Sequence, residues 1–326
     1  MVRATSLLLR TLHTPPVSHT PARSPLIYSL GLSYASKSSP PFVPPHAQPD
    51  GTGFAGKPSK VGRWVDEMLS LRAGRGELQG GIEGGWTEET QMATRRWGAG
   101  EDFFALVEGG GYTHLAVSDG VGGWAPQYDP ALFSQSLMHR YALSATSSPS
   151  SPPWEVLKKA YEGVLAEDNV EAGSATAVGV SLGESGELRG VNLGDSGATI
   201  LREDQPIYTT PVQTHYFNCP TDGLSDNLPT AHLPLLSARI SSLLSHPTNA
   251  HLSPQDRADE RARLLADVLL AYGRMAMART GTEVDSEGRP GWKTPFEEEA
   301  ARNGYRYLGG KVDDITVLTA VASERL

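Results

Sequence analysis

Cysteine is nearly missing from this 326-residue chain: Cys219 is the single one. That excludes an internal disulfide and fits a reducing compartment. The residues after it, Pro220 to Asp226, contain no arginine. A nucleophilic cysteine acting on phosphate needs one to close its anion-binding loop, so an inert thiol is the simpler reading. No apolar run approaches the roughly 20 residues needed to span a bilayer, so no membrane span is expected. Positive charge is in deficit, with 28 Lys and Arg against 37 Asp and Glu and a formal net charge of −9. A binder of the nucleic-acid backbone would carry the opposite balance, so no nucleic-acid partner is expected.

Acidic residues are themselves absent from one stretch. Residues 1–49 hold no Asp or Glu, while Arg3, Arg10, Arg23 and Lys37 lie among Ser, Thr and Leu. That is the composition of a mitochondrial leader, with Leu7, Leu8, Leu9 and Leu12 as an apolar side. A secretory signal fits less well because Arg10 breaks the apolar run. A disordered Pro/Ser-rich tail is the plainer alternative. The expectation is that residues 1–49 form a transit peptide or disordered segment, cleaved between about Leu30 and Pro49 on import to the matrix. Losing the four basic residues would take the net charge from −9 to −13. Residues 50–96 read as a linker and N-terminal extension, with a short helix near Trp64–Leu71 and a Gly-rich loop from Gly74 to Gly85. The folded domain is expected to span 97–322.

Within that domain, Phe103–Val107 and Thr113–Ser118 read as strands, followed by helices at Ala131–Ala142 and Trp154–Glu167 around a loop at Ser144–Pro153. Three β-rich stretches, Ala175–Leu182, Glu187–Leu193 and Ala198–Arg202, are separated by Gly183–Gly186 and Gly194–Gly197, the pattern of a β-meander. Asp256–Arg279 is the strongest helix, with Leu264, Leu265, Val268, Leu269 and Tyr272 on one face. Ile315–Val321 is the last strand. Elements come in blocks rather than strict alternation, which predicts an α+β fold with antiparallel sheets.

The chemistry is carried by acidic residues at strand edges. Ala116-Val117-Ser118-Asp119-Gly120-Val121-Gly122-Gly123-Trp124 puts a carboxylate at a strand end and a glycine-rich turn directly after it. On its own such an Asp-Gly step is an ordinary turn. The theme recurs in Asp222-Gly223-Leu224-Ser225-Asp226-Asn227, in Gly309-Gly310-Lys311-Val312-Asp313-Asp314 before the last strand, and in Gly100-Glu101-Asp102 before an early one. A sheet that gathered these at one end would crowd like charges, which cations would have to relieve. An oxygen-only donor set suits magnesium or manganese rather than zinc.

With these segments in this order, and with Gly173-Ser174-Ala175-Thr176-Ala177, Asn192-Leu193-Gly194-Asp195-Ser196-Gly197 and His215-Tyr216-Phe217-Asn218 between them, the chain resembles the PPM-type (protein phosphatase 2C) metal-dependent serine/threonine phosphatases, closest to their mitochondrial branch. The resemblance covers roughly residues 97 to 322. It implies a β-sandwich of antiparallel sheets flanked by helices, with a binuclear Mn2+ or Mg2+ centre at one end. It implies that Asp119 bridges the metals, that Gly120 offers its carbonyl to one, and that Asp222 and Asp313 ligate the other. Glu101 and Asp102 would sit in the inner or water-mediated shell, with Asp102 joining Asp119 in the catalytic set, and Asp226 would help bind a further, weaker metal. Asp314 stands where many relatives carry Asn and is expected to be an ordinary strand-edge residue, and Asp195 is expected to order a turn. The implied reaction is direct hydrolysis of phosphoserine and phosphothreonine in phosphoprotein substrates, among them mitochondrial matrix enzymes, by metal-activated water.

Three departures stand out. Val121 occupies the position where many relatives carry a histidine that acts as general acid. The phosphate-contacting arginine is Arg95 or Arg96, and the spacing does not choose between them. The third is larger: Asn218 and Thr221 are separated by Cys219 and Pro220 alone, where relatives carry several tens of residues, including the strand that delivers the metal aspartate. Pro220 is itself ill suited to a central strand. Core strands are therefore expected to be missing near 218–222, leaving the sandwich incomplete. The cost of that would exceed the about 5–15 kcal/mol that stabilises a domain. An exon skipped in the transcript or its gene model would account for it. The alternative functions are a catalytically impaired, phosphatase-like binding or regulatory protein, or a truncated form of a normal enzyme.

Overall fold

The structure, a computed structural model, describes residues 25–39, 41–42, 53–74, 98–211, 213, 223–284 and 287–325. Its centre is an antiparallel sheet of four strands in the order β2-β3-β4-β5. These are Asp102–Gly109, Tyr112–Asp119, Ala177–Gly183 and Leu188–Leu193. Against it lies a second sheet of two long strands, β1 (Leu26–Ala35) paired antiparallel with β8 (Ile315–Glu324). A separate hairpin joins β6 (Thr199–Arg202) to β7 (Gln205–Thr209).

Burial along β2 explains the layering. Asp102, Phe103, Phe104 and Ala105 are all buried in succession. A strand shows such an unbroken run when both faces are covered. One face bears Phe104, which stacks on Tyr34 of β1 with ring centroids 5.7 Å apart, so this side meets the second sheet. The other bears Phe103, which meets Trp64 at 5.5 Å. Helix α1 (Lys60–Gly74), which carries Trp64, and helix α2 (Pro130–Ser147) cover that side, and α3 (Pro153–Leu165) packs on α2. The long helix α5 (Pro254–Met277) closes the far side of the β1–β8 sheet, with α4 (His232–Leu244) packed against it. Together with the short α6 (Pro295–Arg302), the layers run helix, sheet, sheet, helix. The fold is α+β, as expected.

Helix starts follow local chemistry. Asp129 accepts from Ala131 N–H at 3.0 Å ahead of Pro130, and Ser253 and Asp256 form a reciprocal capping box ahead of Pro254. Thr294 accepts from Glu297 N–H at 3.1 Å ahead of Pro295. In each case a short polar side chain satisfies an otherwise unpaired N–H, and proline occupies a position with no N–H to lose.

Several expectations need correction. The folded unit does not begin near Trp97. Leu26–Ala35, expected within the leader, forms β1, and Ser33 is fully buried with its hydroxyl donating to Asp267 of α5 at 2.9 Å. Residues 53–71, expected in a linker, join the core: Val65 is fully buried, Gly53 N–H donates to Asp129 and Phe54 N–H to Gln135. Composition averaged over 49 residues hid a ten-residue strand whose partner lies at the other end of the chain. Helix α2 runs through Ala142 to Ser147, into the expected loop. The meander also breaks: β5 pairs with β4, whereas β6 turns away to pair with β7. Residues 1–24 and 214–222 lie outside the described residues, and with them the leucine-rich start of the expected leader and the shortened Asn218–Thr221 junction. Among the described residues the second sheet holds two strands.

The β1–β8 sheet and helix α5 approach closely at Gly31, where an added Cβ would stand 2.1 Å from Ala262 O and 2.4 Å from Thr319 Oγ1. Gly31→Ala is expected to cost about 1–3 kcal/mol by overpacking, read from the midpoint of urea unfolding.

Candidate functional site

Asp102 opens β2 and Asp119 closes β3, and the two are directly opposed in the ladder. Opposed residues of an antiparallel pair point to the same face, here the face that carries Phe104 toward the second sheet. At the same end of the molecule, Ala35 closes β1 opposite Ile315, which opens β8. Just outside that pair lie Ser36-Lys37 on one side and Asp313-Asp314 on the other. Carboxylates from distant parts of the chain thus converge where the two sheets end.

Backbone constraints hold the Asp119–Gly120 corner. Asp119 N–H donates to Thr176 Oγ1 at 3.1 Å and its carbonyl accepts from Thr176 N–H at 2.9 Å. Thr176 Oγ1 lies 2.6 Å from the buried Ser196 hydroxyl, so the Gly194–Gly197 turn braces this corner from behind. Gly120 N–H donates to Glu101 O at 3.1 Å. A Cβ on Gly120 would sit 2.5 Å from Pro130 O and 2.9 Å from Glu101 O, so no larger residue fits there. Ser134 of α2 also donates to Glu101 O, at 2.5 Å.

Asp314 is nearly fully buried and serves as a clamp rather than a surface group. Its two oxygens accept from Lys37 N–H at 2.6 Å and Glu101 N–H at 3.0 Å, tying the ends of β1 and β2 to the start of β8. Complete burial pushes its carboxyl up to about 6, against the opposing pull of Lys37 and of those two N–H groups. Gly100 adopts φ +73°, and a Cβ there would strike Asp314 Oδ1 at 2.0 Å. Only glycine meets both demands.

Two lysines that sequence reasoning left without a role lie among the carboxylates. Lys37 Nζ is 2.8 Å from Glu101, 3.6 Å from Asp314 and 4.0 Å from Asp313. Burial works to lower its pKa, but Asp314, Glu101 and Asp313 together hold it above the ordinary lysine value. Lys311 Nζ donates to Asp313 at 2.7 Å and Asp226 at 3.0 Å. There too burial acts downward, and the two aspartates override it to about 12. Lys311 lies inside the Gly309–Asp314 motif, so its presence was legible; Lys37 lay in the supposed leader and gave no signal.

Asp222 is outside the described residues, as are Arg95 and Arg96. Its neighbour Gly223 is described, and a Cβ there would meet Asp314 O at 2.0 Å and Asp313 Cβ at 3.1 Å. Asn227, fully buried, fastens this segment: its amide donates to Gly223 O at 2.7 Å and Lys311 O at 2.8 Å, and its oxygen accepts from Lys311 N–H at 3.1 Å. Of the predicted set, Glu101, Asp102, Asp119, Gly120 and Asp313 gather at one end of the sandwich, and Asp226 joins Asp313 through Lys311. Among the described residues no three His, Cys, Asp or Glu side chains stand in a closed metal cage. The donors that do gather are carboxylate and backbone oxygens, the types preferred by magnesium and manganese.

No family model matches the chain. Individual proteins do. "Probable protein phosphatase 2C 55" of Arabidopsis thaliana is 30% identical over 240 residues, covering 63% of this chain and 45% of that longer protein. "Protein phosphatase PTC7 homolog" of Danio rerio is 30% identical over 230 residues, covering 64% of this chain and 77% of the relative. Among solved structures, "X-ray structure of the photosystem II phosphatase PBCP" superposes with a TM-score of 0.51 at 25% identity, covering 69% of this chain and 93% of that one.

Asn227→Ala would remove the partner of three backbone groups, Gly223 O, which is buried, and Lys311 O and N–H, which are partly buried. It is expected to cost about 2–4 kcal/mol, measured by denaturant unfolding.

Proposed function

This chain belongs to the protein phosphatase 2C, or PPM-type, family of protein serine/threonine phosphatases, and from that premise we propose that it hydrolyses phosphoserine and phosphothreonine in proteins with divalent cations held at the acidic end of its sandwich. The observation that carries the reading is the convergence of Glu101-Asp102, Asp119-Gly120 and Asp313 from three separate strand ends.

In this reading Asp119, the Gly120 carbonyl, Asp222 and Asp313 are the residues that would hold the ions. Glu101 and Asp102 would sit in the inner or water-mediated shell, and Asp226 would help bind a further, weaker ion. Magnesium or manganese bound there would neutralise charge on the phosphoryl oxygens and acidify a coordinated water. The chain's own part is positional. Asp102 and Asp119, opposed on one face, would accept hydrogen bonds from a water there and orient it toward phosphorus. Thr176 and Ser196 keep the Asp119 backbone from relaxing, and the Asp314 clamp keeps the strand ends from parting. Val121 offers no proton, so the leaving oxygen would take its proton from water or from another residue. Cys219 needs no role, because no side chain is phosphorylated.

A second reading, a catalytically impaired binding or regulatory protein, is favoured by the two-residue gap between Asn218 and Thr221 and by the two-stranded second sheet among the described residues. One assay separates the two. Manganese-dependent phosphate release from a phosphothreonine peptide is expected, abolished by chelation and reduced by about 100-fold or more in Asp119→Ala. Activity that survives chelation would sink the metal reading. A well-folded protein with no turnover that captures a partner tightly would favour the second.

We further assign the protein to the mitochondrial matrix, with phosphorylated matrix enzymes as substrates, on the acid-free, arginine-bearing N-terminus. Because β1 starts at Leu26, processing must stop short of that residue rather than fall between Leu30 and Pro49. Fractionation with N-terminal sequencing is expected to find a matrix form beginning at or before Pro25. Full-length protein confined to the cytosol would refute the assignment.

A further inference from the structure

Resting on the cation reading above, we infer that Lys37 and Lys311 are tethered counter-cations: they neutralise the carboxylate end when no divalent ion is bound, and withdraw when one arrives. Each ammonium lies between carboxylates of separate origin. Lys37 reaches Glu101, Asp313 and Asp314, and Lys311 reaches Asp226 and Asp313. Asp313 is common to both, and it is a residue proposed to hold an ion. A site that gathers like charges needs positive charge to keep its shape, and a lysine on a short tether supplies it at high effective concentration.

The two lysines are built to leave. An ammonium on a four-carbon stem is a mobile point charge, unlike a guanidinium locked in a fork. The Lys37 side chain is 35% exposed, so a route to water is open. Its departure need not unravel the turn that carries it. Lys37 N–H stays on Asp314, and Arg274 of α5 donates to Ser36 O and Ser39 O at 2.9 Å each. Lys311 is held in the same way by its backbone, through Asn227. The ion pairs are therefore separable from the scaffold.

Amine acylation read by mass spectrometry on the full chain tests this directly. Labelling at Lys37 and Lys311 is expected to be low without metal and to rise several-fold on adding manganese, while the exposed Lys158 and Lys159 of α3 stay constant. By calorimetry, Lys37→Met is expected to bind manganese about three- to tenfold more tightly than the native chain, and Lys37→Arg, whose fork leaves less readily, more weakly than the native chain. Without metal, Lys37→Met is expected to melt at a lower temperature. If calorimetry detects manganese uptake while labelling stays flat, the lysines are bystanders and this inference falls, but the metal reading stands. High labelling at both lysines before metal is added overturns it as well. If neither the native chain nor Lys37→Met takes up manganese, the metal reading and the displacement fall together.

Discussion

The pairing of Leu26–Ala35 with Ile315–Glu324 is the constraint on which the rest of this molecule depends. It joins residues near the two ends of the chain into one two-stranded sheet, and that sheet supplies the apolar face that covers Phe104. It also sets the geometry of the acidic end. Because Ala35 opposes Ile315, the residues beyond them emerge side by side, where Lys37 and Asp314 both reach Glu101 at the start of β2. Remove either strand and both the core and the charge cluster lose half their walls.

Like charges gathered in this way are a liability that the structure manages in two forms. Asp314 is buried and spends both oxygens on backbone N–H groups, which makes it a joint between three strand ends. Glu101, Asp313 and Asp226 rest on lysine ammonium groups, one of which, Lys37, also lies 3.6 Å from Asp314. The first arrangement is rigid, since it rests on main chain; the second is exchangeable, since it rests on long side chains. A protein that must accept cations at this end needs both, a frame that stays and a charge balance that can change. Glycine has a matching part: Gly100 and Gly120 stand where a Cβ would collide with the atoms of the frame.

Much of this was legible beforehand, for a physical reason. The β2 and β3 strands, α2, α3 and α5, the β4–β5 pair and β8 all carry local signals: apolar runs, proline at helix starts, glycine turns. The acidic segments lay at strand edges, and the structure brings most of them together. What failed was reasoning by average composition. Leu26–Ala35 alternates too weakly to stand out among Ser and Pro, and nothing local announces a partner nearly 300 residues away. The same averaging assigned Lys37 to a targeting segment, although its backbone is anchored to Asp314.

By itself the amino-acid order determined which residue types the chemistry has at its disposal: oxygen donors at strand ends, no useful thiol, glycine where the backbone must come close. These follow from short-range rules, and short-range rules are written in neighbouring residues. Tertiary structure alone decided that both chain ends share a sheet, that Asp314 is a clamp, and that two lysines stand among the carboxylates. Each of those depends on which distant segments come into contact, and contact across the fold is set by the burial of whole faces rather than by any local pattern.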